Sequence, residues 1–132
     1  MPKRVTGIGG IFFKCADPAA TRDWYNKHLD INAQQWGATF EWRHEDDPNK
    51  KGQSVWNAFP ATTKYFEPSG KEFMMNLRVE NLEWLVGELK KEGVELVGEL
   101  QDTEYGKFAH IVDPNGIKIE LWEAKDEVEE TK

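Results

Sequence analysis

The feature that most constrains this chain is that it repeats itself. An offset of 64 residues lays Lys14 on Arg78, Cys15 on Val79, Asp17 on Asn81 and Tyr25 on Leu89. Farther on, Trp36-Gly37 matches Tyr105-Gly106, and Asp47-Pro48-Asn49 matches Asp113-Pro114-Asn115. Each half reads as strand, helix, then three strands, a supersecondary unit that buries its apolar face against its own copy. The expected fold class is α+β, with two βαβββ modules forming one curved mixed sheet around a cleft and the helices outside. At 132 residues the chain fits a single domain. Module one is expected over about 5–60, a linker with Pro68 and Gly70 as breakers over 61–71, and module two over about 72–124.

Local signals support this division. Residues 5–15, VTGIGGIFFKC, alternate as a strand, with Ile11, Phe13 and Cys15 on one face and Gly10, Phe12 and Lys14 on the other. Asp17-Pro18 starts a helix expected to reach Leu29, with Ala20, Trp24, Tyr25 and Leu29 as its apolar stripe. Residues 31–37 read as a weak strand and turn, and 39–44 and 53–59 as strands. In the second half 72–79 reads as a strand. Asn81 caps a helix carrying Leu82, Leu85, Val86 and Leu89, Gly93 stops it, and 94–100 reads as another strand. Residues 1–4 are expected to fray, and the acidic tail 125–132 to be disordered.

Residues 105–123, YGKFAHIVDPNGIKIELWE, are two alternating strands around a D-P-N-G turn. Gly116 can take the positive φ that closes it. A three-residue loop with a glycine bulge pairs Asp113 with Ile117 and sets His110 opposite Glu120 on one face. A two-residue loop shifts the register and separates them.

Composition narrows the function. A net charge of −7 argues against a general nucleic-acid or anionic-membrane binder, which needs a basic face. One cysteine excludes an internal disulfide, and Cys15 in its apolar strand reads as an inert buried thiol. With no leader and no long apolar run, a cytoplasmic protein is expected. The six tryptophans can be core, but such rings also line pockets for small molecules.

The segments GIGGIFFKCADPAATRDWYNKHLDI, FMMNLRVENLEWLVGELKKEGVEL and YGKFAHIVDPNGIKIELWEA carry a resemblance. Over about residues 7 to 124 the chain resembles the glyoxalase, bleomycin-resistance and extradiol-dioxygenase group, the vicinal oxygen chelate superfamily. The resemblance implies the two-module fold and a homodimer. In members that use a divalent metal, it places ligands at positions that fall here on Gly10, on Asn57 or its neighbour Trp56, on Met74 and on Glu120. Only Glu120 is a good ligand. Gly10 has no side chain, Met74 is a soft thioether, and Asn57 is a weak oxygen donor. Even with His110, the set falls short of the three protein ligands of catalytic zinc. No cofactor is expected. A metal enzyme with other ligands would have to recruit His44, His110, Glu41 and Glu120.

Without a metal, the expected site is an aromatic, partly cationic cleft. Lys14 and Arg78 are repeat mates and suggest an anionic group on the ligand, and Asn76 shares their cleft face. Phe12, Trp42, Val55 and Phe59 supply apolar walls, and Tyr105 a lid or a turn. Glu120 is the candidate general base, its pKa expected to rise in an apolar cleft, with His110 assisting. His28 and His44 read as structural. Three readings follow: a binder of a small anionic or aromatic molecule with metal-independent lyase or isomerase chemistry; a ligand-sequestering protein of the bleomycin-resistance kind; and a metal-dependent lyase or dioxygenase with unusual ligands. None of them includes nucleic acid or membrane as a partner.

Overall fold

A computed structural model describes residues 2–126. The elements are β1 (Val5–Cys15), α1 (Pro18–Leu29), β2 (Ala38–Arg43), β3 (Lys51–Pro60), β4 (Phe73–Val79), α2 (Leu82–Lys91), β5 (Gln101–Thr103), β6 (Gly106–Val112) and β7 (Lys118–Ala124). They build one seven-stranded mixed sheet in the order β2-β3-β1-β4-β7-β6-β5, with two helices. This is the expected α+β fold. In each half the first strand runs parallel to the last, β1 with β3 and β4 with β7. The halves meet where β1 and β4 pair antiparallel, with Gly10 opposite Asn76.

Both helix starts follow from their caps. The Asp17 carboxylate accepts from Ala20 N at 3.0 Å, and the Asn81 side chain from Trp84 N at 3.1 Å. α2 buries Leu82, Leu85 and Val86 in a core with Val79, Ala109 and Leu121. α1 departs from expectation. It buries no residue, and Trp24 and Leu29 of the expected stripe are 54% and 60% exposed. Tyr25 makes the contact with the sheet, its ring 4.7 Å from Trp56 and 6.3 Å from Phe13.

Two expected strands are absent. Residues 31–37 hold only an isolated Gln34–Gly37 bridge, because Asp30 and Asn32 take left-handed φ of 52° and 59° and turn the chain away. The first module therefore has two strands after its helix, and the second has three. Residues 94–100 also run free of the ladder. Val97 N donates to His110 O at 2.8 Å, Gly98 follows at φ 76°, and pairing begins only at Gln101. At the amino end the chain is tied rather than frayed, with Lys3 N donating to Glu80 and Arg4 paired with Glu92 at 2.7 Å. Residue 1 and residues 127–132, most of the expected acidic tail, lie outside the described residues. Among the described residues no helix is long and apolar enough to cross a membrane.

Candidate functional site

Strand register assembles the centre of the site. Thr39, Val55, Gly10, Asn76, Glu120 and His110 are successive cross-strand partners on β2, β3, β1, β4, β7 and β6. The hairpin decides the last step. Asp113 N donates to Ile117 O at 2.9 Å and Gly116 sits at φ 81°, so the loop is the three-residue form and His110 falls opposite Glu120.

Glu120 is 4% exposed and takes three hydrogen bonds. Asn76 Nδ2 donates to Oε1 at 2.6 Å, His110 Nε2 lies 2.8 Å from Oε2, and the Tyr65 hydroxyl donates to Oε2. That hydroxyl also stands 3.3 Å from His110 Nε2. Burial alone would raise the carboxyl pKa. The bonds from His110, Tyr65 and Asn76 outweigh it and hold the pKa below the usual carboxylate range. This corrects the expectation of a raised pKa. An apolar cleft raises a carboxyl only where donors are missing, and here three converge. Burial, and then the Glu120 charge, push the Tyr65 hydroxyl well above its ordinary value, so it stays a neutral donor.

Beside this group lies a cavity of about 1080 Å³. Phe12, Phe59, Tyr65, Phe108 and Trp122 wall it, Trp36 and Tyr105 stand at its more exposed parts, and Asn76 and Glu120 reach its surface. Val55 joins the wall as expected of its face. The Phe59 and Tyr65 rings stack at 5.9 Å, and Phe12 meets Phe59 edge-on at 5.7 Å.

Other expected residues lie elsewhere. Because β1 and β4 run antiparallel, repeat mates land at opposite ends of their pair. Lys14 N bonds Glu72 O, while Arg78 is opposite Gly7. Seven residues of strand, about 23 Å, separate those ends, so the two cations cannot grip one anion. Lys14 Nζ lies 5.7 Å from the Phe66 ring centre. Arg78 is 5% exposed and sandwiched between Trp42 and Trp122, at 4.7 and 5.0 Å. It donates to Gln53 O at 3.0 Å and to Asp126. Trp42 thus packs on Arg78 and donates to Ser54 Oγ at 3.0 Å instead of walling the cavity. Asn57 is outside the cavity lining, with a buried Oδ1 that has no partner. His110 stands behind Glu120 rather than on the cavity surface. Cys15 is half-buried with Sγ 3.6 Å from Phe59 O.

Sequence reasoning missed the cavity-wall rings of Trp36, Phe108 and Trp122, and above all Tyr65, which bonds Glu120. Tyr65 lies in the segment 61–71, read only as a linker. That segment is fastened down: Phe66 is fully buried, Ser69 Oγ donates to Gly116 O at 2.5 Å, and Lys118 Nζ donates to Tyr65 O at 2.5 Å. The aromatic pair Tyr65-Phe66 inside a polar linker is the signal that could have drawn attention to it.

The metal positions that the fold family implies do not fit a metal. A Cβ at Gly10 would stand 2.6 Å from Val55 O, and Met74 is wholly buried with Phe12 and Phe66. Trp56 faces Phe13 and Tyr25, on the α1 side of the sheet. His44 pairs with Asp126 at 2.7 Å, apart from His110 and Glu120. Among the described residues no three His, Cys, Asp or Glu side chains are grouped to share an ion.

The family model described as Glyoxalase/Bleomycin resistance protein/Dioxygenase superfamily matches residues 7–121. A search of curated proteins finds no match. Among solved structures, methylmalonyl-CoA epimerase from Mycobacterium tuberculosis is 22% identical, covers 92% of this chain and 90% of its own, and superposes with a TM-score of 0.62. A Streptomyces coelicolor methylmalonyl-CoA epimerase variant with 2-nitronate-propionyl-CoA is 16% identical over 92% and 99%, with a TM-score of 0.67. Hypothetical protein BH1468 from Bacillus halodurans C-125 is 17% identical over 93% and 97%, with a TM-score of 0.60. At such identities the likeness is one of fold.

Proposed function

From the premise that the chain belongs to the glyoxalase, bleomycin-resistance and dioxygenase superfamily, we propose that it binds and sequesters a small, flat organic molecule in its aromatic cavity without transforming it. One observation carries this reading. Glu120, the carboxylate at the cavity surface, already accepts from Asn76, His110 and Tyr65 and is held ionised by them. A general base that takes a proton from carbon works best with a raised pKa and a free lone pair aimed at that proton. A carboxylate held by three donors is a poor base and a well-ordered acceptor. Flat rings on several sides offer large contact area at low entropic cost. Sequestration requires no cofactor.

A second reading, metal-independent proton transfer, draws on one feature. Tyr65, His110 and Glu120 meet at a single point, and such a group can relay a proton. One experiment separates the two. A panel of flat aromatic compounds is screened by thermal shift, and each hit is incubated with the protein in D2O and recovered for mass spectrometry. A ligand at 100 times its Kd adds about 2.7 kcal/mol. Sequestration predicts that such a ligand returns unchanged and undeuterated. Deuterium entering carbon at a rate abolished by Glu120→Gln establishes proton transfer instead.

The working unit on this reading is a cytoplasmic homodimer. β1 and β4 leave Ile8, Ile11 and Phe73 exposed, apolar surface that a second copy would cover. Sedimentation at micromolar concentration tests it, and a monomer there removes the dimer from the reading.

A further inference from the structure

The charge of the ligand can be taken further, on the assumption that the cavity binds a flat molecule as argued above. Among the described residues two charged side chains line the cavity, Glu120 and the exposed Glu104, and both are acidic. The cations around it are engaged elsewhere. Arg78 is held by Asp126, Gln53 O and two tryptophans, Lys118 by Tyr65 O, and Lys14 lies over Phe66. Lys125 donates to Thr103 O at 2.7 Å.

Where Asn76 and Glu120 reach it, the cavity surface presents acceptors. Asn76 is 2% exposed and gives Nδ2 to Glu120, which leaves its Oδ1 buried with no partner. Among the described residues Glu120 Oε1 takes that one bond. Asn76 Oδ1 therefore awaits a donor, a costly state for a buried acceptor, and Glu120 Oε1 on the neighbouring strand has room for a second bond. The rings around them present negative π-faces, which attract cations.

We propose that the ligand is a flat aromatic cation. Its N–H-bearing head, an amidinium, a guanidinium or a protonated ring amine, docks on Asn76 Oδ1 and Glu120 Oε1. Its apolar body lies among Phe12, Phe59, Phe108 and Trp122. Glu104 attracts the charge at the mouth. An anionic ligand would instead meet two carboxylates and no free cation among the lining residues.

Three probes of one shape test this by calorimetry: 2-naphthamidine, neutral 2-naphthamide and 2-naphthoate. The expected order has the amidine binding about tenfold or more tighter than the amide, with the naphthoate weakest. Added salt weakens the amidine and leaves the amide unchanged. Glu120→Gln keeps the shape of the side chain and should bring the amidine down to the level of the amide. Because that residue is buried, Glu104→Lys at the exposed mouth is the second variant, expected to weaken the amidine and strengthen the naphthoate. If the naphthoate or the amide binds as tightly as the amidine, the cation is wrong while the binding reading stands. If none of the three binds, the binding reading falls and this inference with it.

Discussion

Tyr65 donates its hydroxyl proton to a carboxylate that the sheet has already buried, and the charge state of the site depends on that bond. A carboxyl whose pKa is lowered on folding adds stability that is present above its unfolded value, ~4.3, and lost as pH falls through the folded value. Tyr65→Phe removes one of three donors, so the folded pKa should move up toward the unfolded one. Urea unfolding followed against pH should show a cost of about 1–2 kcal/mol at neutrality and an acid loss of stability that is smaller than in the parent and complete at a higher pH. An unchanged acid profile would mean that Asn76 and His110 suffice alone. Gly9 is the second sensitive residue. A Cβ there would collide with the Asn76 amide and stand 3.0 Å from Arg78 Cγ, neither of which is free to move away. Gly9→Ala should cost about 1–3 kcal/mol by chemical denaturation and also weaken any ligand held by Asn76. At this scale the sequence was half legible. It placed Asn76, Phe12, Phe59 and Glu120 on the right faces, because a strand's period is two. It put the Glu120 pKa on the wrong side of normal, because that depends on donors from β4, β6 and the linker that no local pattern announces.

Among the elements, the β6–β7 hairpin was the most legible, since its register follows from four adjacent residues. Asp113 Oδ1 accepts from Asn115 N and Ile117 N at 2.8 and 2.9 Å, Gly116 takes the left-handed φ, and every pair from Val112–Lys118 to His110–Glu120 follows. The linker 61–71 was the least legible. Its path over the cavity is set by bonds to residues about fifty positions away, from Lys118 Nζ to Tyr65 O and from Ser69 Oγ to Gly116 O. Lys118 is 6% exposed and its pKa is lowered by burial, against the pull of Glu120 and Glu67, so this ammonium is buried for the sake of that contact. Lys118→Met should keep the stem and lose the bond to Tyr65 O together with the charge that Glu120 and Glu67 attract. The expected result is amide exchange about tenfold faster in residues 61–71, with the sheet unchanged. Equal exchange in parent and variant would show that Phe66 and Ser69 hold the segment without the lysine.

For the whole molecule, the repeat read in the sequence is a repeat in space, yet its two halves are not equals. The antiparallel β1–β4 seam carries equivalent positions to opposite ends, which is why Lys14 and Arg78 parted. The first half also lacks the strand that β5 supplies in the second. The halves are joined again at Asp126, which meets His44 of the first and Arg78 of the second. That cluster was illegible because its members lie 48 and 82 positions apart. Removing one partner leaves a buried guanidinium uncompensated, so Asp126→Ala should cost about 3 kcal/mol by urea denaturation, far more than an exposed pair would. A cost under about 0.5 kcal/mol would show that the two tryptophans and Gln53 O hold Arg78 alone. One of those tryptophans has an optical consequence. Trp122 is 6% exposed with its indole N–H fixed on Tyr105 O at 2.9 Å, and it shares the cavity wall with Trp36, which is 58% exposed. Two fluorophores, one in an apolar setting and one in water, thus face the same space. A guest entering it would quench the first and shift the emission of the second to the blue, so the protein would report its own occupancy without a label.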